Sequence, residues 1–121
     1  MDDFLLADVI IDTVARAGGV KRRDLCGRRA AATLAKLRDT ARFLIRQRTK
    51  LSFPEIATLF GRQDHTSVMA AVRREQARLD RNIPHAASQL TQIAWHRHLL
   101  ALVDQELIER SAAASAPKEE A

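Results

Sequence analysis

Four consecutive polar side chains near the middle of the chain combine different hydrogen-bonding groups. Asp64 accepts hydrogen bonds, His65 can donate or accept, and Thr66 carries a hydroxyl beside a methyl group. Ser67 adds a second hydroxyl. Such groups match the edges of base pairs, because a carboxylate accepts from the cytosine amino group and a threonine methyl packs against the thymine methyl. Asp64 can equally be only a helix N-cap, and Met69, one turn after His65, offers a groove contact or belongs to the core.

The residues before this group indicate how it is presented. Ser52-Phe53-Pro54-Glu55 has the pattern of a capping box, with Pro54 tolerated in the first helical turn. The pattern predicts a short helix to Phe60, a turn at Gly61, and a longer helix for which Asp64 is the N-cap. This organisation is a helix-turn-helix, whose second helix turns its first residues toward base edges in the major groove.

The formal net charge of +5 conceals an uneven distribution. Residues 1–20 carry −3, residues 21–83 carry +10 and residues 84–121 carry −2, and thirteen of the sixteen basic residues in the middle segment are arginine. A basic segment of this size predicts a polyanionic partner, because arginine suits bidentate contacts with phosphate and guanine. A solvated, arginine-rich helix surface is the alternative interpretation.

Phosphate contacts are expected from several arginines and from the helix N-terminus at Ser52 and Pro54. About six to eight contacts of this kind predict a log–log salt slope of about −5 to −7. The arginines are Arg38, Arg42, Arg46, Arg73 and Arg74. Arg28 and Arg29, in a basic loop after Gly27, suit a narrow A·T-rich minor groove, although they can equally be a solvated charge pair.

The length and the helical periodicity predict one all-α domain. An amphipathic helix over residues 4–16, a short helical turn over 20–25 and a long helix over 30–50 precede the helix-turn-helix. The apolar stripe of the long helix comprises Leu34, Leu37, Ala41, Leu44 and Ile45. Three basic side chains of that helix are expected to point away from the core: Lys36, Arg42 and Arg46.

A last helix is predicted over residues 87–109, and its apolar residues cover more than one narrow stripe. It either folds back on the first helix or forms a surface for self-association or for a protein partner. The sequence is thus expected to divide into a helix-turn-helix domain over residues 1–82, an additional helix within 83–110 and a disordered tail over 111–121.

Residues 51–68, which read LSFPEIATLFGRQDHTSV, resemble the signature of the C-terminal DNA-binding domain of the bacterial replication initiator DnaA. The Asp-His-Thr triplet beside the Ser-x-Pro-Glu-Ile element, at the family's spacing, carries the resemblance, which extends over roughly residues 4–82. It implies a Trp-repressor-like helical fold that binds a nonameric duplex element, the DnaA box.

The resemblance also implies roles for individual residues. The triplet at 64–66 would read bases in the major groove, the loop arginine at 28 or 29 would enter the minor groove, and Arg38 would contact the DNA backbone. The sequence departs from the family pattern in three respects. The spacing from the basic loop to Arg38 is about one residue longer than usual, which leaves Arg28 and Arg29 as alternatives. Gln63, a further candidate DNA contact, stands where the family has arginine, and Ser67 replaces a threonine and lacks its methyl group. The preferred site is therefore expected to differ from the family consensus.

Several classes of function lack support in the sequence. No G-x-x-x-x-G-K-[ST] element occurs, so the ATPase module of the full-length initiator is expected to be missing. His96 and His98 fall on different helix faces, and the single Cys26 has no disulfide partner, so we predict no metal, cofactor, nucleotide or enzyme activity. The apolar runs are far shorter than the ~20 residues of a membrane span. The acidic N-terminus does not resemble a signal peptide, which predicts a cytoplasmic, nucleoid-associated protein.

The sequence therefore predicts a binder of double-stranded DNA that occupies DnaA-box-like sites in replication control or transcription regulation. The alternative is a helical protein-interaction module that binds a partner or dimerises through residues 87–109.

Overall fold

The computed structural model describes the chain at residues 2–28, 30–61, 64–85 and 89–115. Over these residues the structure consists of six α-helices and one isolated antiparallel bridge between Pro84 and Thr91. The helices are α1 (Asp3–Ala17), α2 (Arg22–Leu25), α3 (Ala32–Arg48), α4 (Phe53–Leu59), α5 (His65–Arg81) and α6 (Gln92–Ser115). The predicted all-α fold is confirmed.

Local signals define the first helices. The Asp2 side chain caps α1 by accepting from the Phe4 amide at 2.9 Å, and Gly19, with φ of 70°, lies in the left-handed region just after the helix ends. The Arg22 guanidinium donates to the Asp8 carboxylate at 2.6 Å, which fastens α2 to α1. Helices α1 and α2 therefore form one unit before the chain enters the basic loop.

One hydrophobic core is shared by α1, α3 and α6, and residues of α4 and α5 join the same cluster, since both helices pack on α3. Ile10 of α1, Leu44 of α3 and Leu99 of α6 are fully buried in it. All five residues of the predicted α3 stripe are buried. Helix α3 is thus the central support on which the helix-turn-helix rests.

The helix-turn-helix comprises α4, a turn that begins at Gly61, and α5. Gly61 has φ of 65°, a conformation that costs a residue with a side chain about 1 kcal/mol or more. Val68 and Ala71 bury the inner face of α5 against α3 and α4. This packing leaves the first turn of α5 at the surface.

Helix α6 has different bounds from those predicted. It begins at Gln92 instead of residue 87, because Thr91 pairs with Pro84 and the Thr91 hydroxyl accepts from the Ala94 amide at 3.3 Å, as an N-cap does. It continues to Ser115, whereas a disordered tail was predicted from residue 111. The segment Ser-Ala-Ala-Ala-Ser at 111–115 is rich in alanine, the residue with the highest helix propensity.

Helix α6 packs antiparallel on α1. The Arg16 guanidinium lies 3.7 Å from the Glu106 carboxylate, and the Arg110 guanidinium lies 3.8 Å from the Asp8 carboxylate. Residue numbers therefore increase along α6 in the direction in which they decrease along α1. Trp95, Leu99 and Val103 are buried in the same core as α1 and α3, as expected for a helix that folds back on the first one.

Candidate nucleic-acid interface

The first turn of α5 presents the predicted base-reading residues to solvent. Asp64, His65 and Thr66 are exposed, while Ser67 and Met69 are half-buried. The helix starts here because the Asp64 side chain accepts from the Thr66 amide at 2.9 Å and the Ser67 hydroxyl donates to the Asp64 carbonyl at 2.8 Å. The predicted N-cap is confirmed, and the triplet stands at an exposed helix tip.

The hydrogen bonds of this turn fix the chemistry of its side chains. The Thr66 hydroxyl donates to the Asp64 carboxylate, and this bond together with that from the Thr66 amide lowers the pKa of Asp64 below its ordinary value of 3.8. Asp64 is therefore an ionised acceptor at neutral pH. Because the Thr66 hydroxyl proton is engaged, its methyl group and oxygen lone pairs remain for outside contacts.

A second feature is the start of α4. The Glu55 amide donates to the Ser52 hydroxyl at 3.2 Å and the Ser52 amide donates to the Glu55 carboxylate at 2.9 Å, so the predicted capping box is confirmed, with Pro54 in the first turn. Hydrogen bonding from the Ser52 amide, and next from the Ser52 hydroxyl, lowers the pKa of the Glu55 carboxyl group. The Arg46 guanidinium lies 4.2 Å from the Phe53 ring centre and donates to the Leu51 carbonyl at 2.9 Å. An exposed cation is thereby held beside the α4 N-terminus.

The basic loop is described only in part. Arg28 is exposed and lies outside any helix, four residues before α3 begins. Arg29 and Gln63, which were also predicted to contact DNA, lie outside the described residues.

Arg38 does not project to solvent as an exposed phosphate donor would. The side chain is 6% exposed, and it donates from Nε to the Leu25 carbonyl and from Nη2 to the Asp24 carbonyl, both at 2.7 Å. These carbonyls lie at the end of α2, where the helix does not continue into another turn. Arg38 therefore fastens α2 to α3 just before the basic loop.

The expectation that Arg42 points away from the core is wrong. Its side chain is buried, and its guanidinium lies 4.9 Å from the Phe60 ring centre. The cause is the helix-turn-helix itself, since α4 packs against α3 and brings Phe60 over a position that an isolated α3 would expose. Lys36 and Arg46 are exposed, as expected.

Arg74 lies on α5 and is held by an acid from α3. Its Nε and Nη2 atoms donate to the two Asp39 carboxylate oxygens, each at 2.9 Å. Asp39 is buried, and it also accepts from Arg78 at 2.9 Å. The Arg74 side chain remains 53% exposed beside a cavity of about 300 Å³. The cavity is lined by Ala35, Arg38, Asp39, Arg42, Asp64, Ser67 and Arg74.

Comparison with known proteins identifies the family. The family model for the bacterial dnaA protein helix-turn-helix matches residues 7–74, more than half of the chain. The chain belongs to this family. The matched segment runs from α1 into α5 and contains the triplet, the α4 capping box and the described part of the basic loop.

Curated relatives agree with this assignment. The chromosomal replication initiator protein DnaA of Picosynechococcus sp. is 38% identical over 93 residues, which cover 75% of this chain and 21% of the relative. The DnaA of Xanthobacter autotrophicus is 43% identical over 67 residues, covering 55% of this chain and 13% of the relative. The chain thus spans about a fifth or less of the length of these relatives.

Family membership makes this a DnaA-type DNA-binding domain, and such a domain is not itself catalytic. Among the described residues, no group of three or more histidine, cysteine or acidic side chains could hold a metal ion. In the same described part of the chain, every helix is too short or too polar to cross a membrane.

Sequence reasoning missed a buried polar group in this DnaA helix-turn-helix domain. Glu75 of α5 is 0% exposed and accepts from Gln92 at 2.9 Å, from Arg78 at 3.0 Å and from the Thr40 hydroxyl. His96 Nε2 lies 2.8 Å from the same carboxylate and donates to it, since an ionised carboxylate can only accept. We call these five residues the Glu75 cluster.

The Glu75 cluster joins α3, α5 and α6. Burial opposes ionisation of Glu75, but the hydrogen bonds from His96, Thr40 and Arg78 outweigh it and lower the pKa of the carboxyl group. Helical spacing contained a signal for it, because Glu75 lies on the face of α5 that buries Val68 and Ala71.

Proposed function

We propose that this domain binds DnaA-box-like duplex DNA sequence-specifically, in replication control or transcription regulation, and that nucleotide hydrolysis has no part in this binding. The observation that carries the proposal is the exposed triplet Asp64-His65-Thr66 at the N-terminus of α5, in the second helix of a helix-turn-helix. The first residues of that helix are the ones that reach base edges in the major groove.

Each residue of the triplet has a distinct role. Ionised Asp64 accepts a hydrogen bond from a cytosine amino group, and His65 bonds a base edge or a phosphate. Thr66, whose hydroxyl proton is engaged by Asp64, sets its methyl group against a thymine methyl. Ser67 lies on the same turn as the triplet, and Met69 lies on the next turn. Both line the edge of the contact with the bases.

Backbone contacts come from around the triplet. Arg46 is held beside the α4 N-terminus, where Ser52 and Pro54 lie, and this pairing of a cation with helix amides suits one phosphate. Arg74 faces a second phosphate. The basic loop, with Arg28 or its neighbour Arg29, enters the minor groove. Gln63, which stands in the sequence where the family has an arginine, is a further candidate contact.

The test measures binding of the protein to two labelled duplexes, one with a DnaA box and one with the same bases scrambled, by fluorescence anisotropy at about 0.15 M salt. We expect the box to bind more tightly, and each good base contact to contribute about 1–3 kcal/mol of discrimination. Equal affinities for the two duplexes would refute the proposal.

Paired substitutions at Thr66 separate its two groups. Thr66→Ser removes the methyl group and keeps the hydroxyl, and it should relax the preference for thymine at one position of the box. Thr66→Val keeps a methyl and removes the hydroxyl, and it should retain that preference. The opposite pattern would show that the hydroxyl, and not the methyl, reads the base.

Three further variants complete the set. His65→Ala should reduce discrimination, whereas His98→Ala, which changes an exposed histidine on α6, should not. Arg46→Ala should weaken binding to both duplexes alike and lower the salt slope by about one.

The alternative, association through residues 87–109, has one observation in its favour. Leu102 and Ile108 of α6 are 38% and 64% exposed, although most of the helix's large apolar residues pack inward. Analytical ultracentrifugation over a range of protein concentrations tests it. A monomer at every concentration, with DNA binding intact, would dismiss self-association.

A further inference from the structure

Asp39, a buried acid of α3, fixes the orientation of the Arg74 side chain at the proposed interface. Asp39 is buried in α3, and both of its carboxylate oxygens accept from the Arg74 guanidinium of α5 at 2.9 Å. This two-point contact fixes the plane and direction of the guanidinium, which a single hydrogen bond would not. A long arginine side chain on the surface would otherwise sample many rotamers.

Arg74 keeps donors that Asp39 does not engage. Asp39 takes Nε and one hydrogen of Nη2, and within the described residues Nη1 has no acceptor. The side chain is 53% exposed at the edge of the 300 Å³ cavity, which it shares with Ser67 and Asp64. Arg74 therefore has free hydrogen-bonding capacity beside the residues that begin α5.

The position of Arg74 along α5 suits a phosphate. It lies seven residues after Ser67, or about 10.5 Å along the helix axis at 1.5 Å per residue. The major groove is about 12 Å wide, so when the first turn of α5 lies at the base edges, a side chain two turns further reaches the phosphates that border the groove.

Arg78 restrains the Asp39 carboxylate. It donates to Asp39 at 2.9 Å and to Glu75 at 3.0 Å, and it is only 22% exposed. Asp39 is thus held from a second side, by a residue of the Glu75 cluster. The carboxylate cannot follow Arg74 if that side chain moves toward another partner.

We propose that Asp39 is a positioning residue for DNA binding, which holds the Arg74 guanidinium toward a backbone phosphate; this rests on the proposed function above. The expected effect of removing Asp39 on DNA affinity is opposite to the one that the change in net charge alone would predict. Removing an acid from a DNA-binding protein ordinarily strengthens binding, because repulsion of the phosphates falls. Removing Asp39 weakens it, because the ordered contact of Arg74 is lost.

The experiment compares Asp39→Asn with Asp104→Asn, which makes the same change in net charge at an exposed position of α6. Affinity for the box duplex is measured by anisotropy from about 0.05 to 0.3 M salt. We expect Asp104→Asn to bind as tightly as the wild type or slightly more tightly. We expect Asp39→Asn to bind about three- to tenfold more weakly, with the salt slope lower by about one and the ratio of box to scrambled affinity retained.

Two variants at Arg74 show whether Asp39 acts through it. Arg74→Gln should give the same loss, and the double variant Asp39→Asn/Arg74→Gln should lose no more than Arg74→Gln alone. Arg74→Lys keeps the charge but not the planar fork, and it leaves the contact of Asp39 with Arg78 intact, so it remains informative if Asp39→Asn does not fold. It should also bind more weakly.

The inference is overturned if Asp39→Asn binds with at least wild-type affinity and an unchanged slope, or, should that variant not fold, if Arg74→Lys binds like the wild type. These outcomes differ from failure of the proposed function, in which the wild-type protein itself would not distinguish the box from the scrambled duplex.

Discussion

Truncation of Glu75 provides a stringent test of how the domain is held together. Glu75→Ala removes the acceptor of the Glu75 cluster from a site with no solvent access. Of its four donors, the Thr40 hydroxyl has the Lys36 carbonyl at 3.2 Å as an alternative, and Arg78 keeps Asp39. Gln92 and His96, which are 3% and 6% exposed, would be left as buried donors.

The magnitude follows from these two donors. Each buried group left without a partner costs about 1–3 kcal/mol, and removal of one member of a buried charged network typically costs about 3–5 kcal/mol. We therefore expect Glu75→Ala to lower the free energy of unfolding by about 3–5 kcal/mol. Glu75→Gln keeps one acceptor oxygen, but its NH₂ group would face the other hydrogen-bond donors of the cluster. We expect it to lower the free energy of unfolding by about 1–3 kcal/mol.

Urea unfolding with two probes measures this effect. Far-ultraviolet circular dichroism follows all helices, while the fluorescence of Trp95, the only tryptophan in the chain, follows the docking of α6. Both transitions should move to lower urea together if the domain unfolds in one step. The control Glu109→Ala removes an exposed acid of α6 and should change the free energy of unfolding by no more than about 0.5 kcal/mol.

A loss below about 1 kcal/mol for Glu75→Ala, in a variant with wild-type helicity, would refute the reasoning. It would mean that Gln92 and His96 find other partners or reach water, so that the cluster does not anchor α6.

Two further predictions concern caps and pH. Ser52→Ala removes the acceptor of the Glu55 amide and should lower the free energy of unfolding by about 1 kcal/mol. Thr91→Ala removes the acceptor of the Ala94 amide and should have an effect of similar magnitude. Thermal unfolding measures both. The pKa of Glu75 is lower in the folded state than its ordinary value of 4.5, so its stabilising contribution is present above pH 4.5 and is lost as pH falls through the folded value. The urea midpoint of the wild type should therefore fall more steeply between pH 6 and pH 3 than that of Glu75→Gln, and parallel curves would contradict this.

Local signals in the sequence were sufficient for the elements of the site. The capping box at Ser52, the N-cap at Asp64 and the left-handed Gly61 act within a few residues, so their spacing predicts the helix-turn-helix directly. The predicted stripe of α3 succeeded for the same reason, because the apolar spacing of a long helix identifies its buried face.

Tertiary packing decided what the sequence could not predict. Arg38 and Arg42 look like surface cations in an isolated α3, and only the arrival of α2 and of Phe60 turns them inward. The Asp39–Arg74 contact joins positions 35 residues apart, and the contact of Glu75 with His96 joins positions 21 apart. No periodicity within a single helix specifies which charged residue on one helix will meet which on another.

The antiparallel pairing of α1 and α6 determines where the domain can be tethered. Asp8 and Arg110 are neighbours, and from them each helix runs five residues further, about 7.5 Å, to Asp3 and Ser115. Both described ends thus emerge at one pole, where Asp3 also accepts from the Lys50 amide at 3.1 Å, just before the turn into α4. A fluorescent label attached at residue 2 or at residue 115 therefore departs from the same side of the molecule.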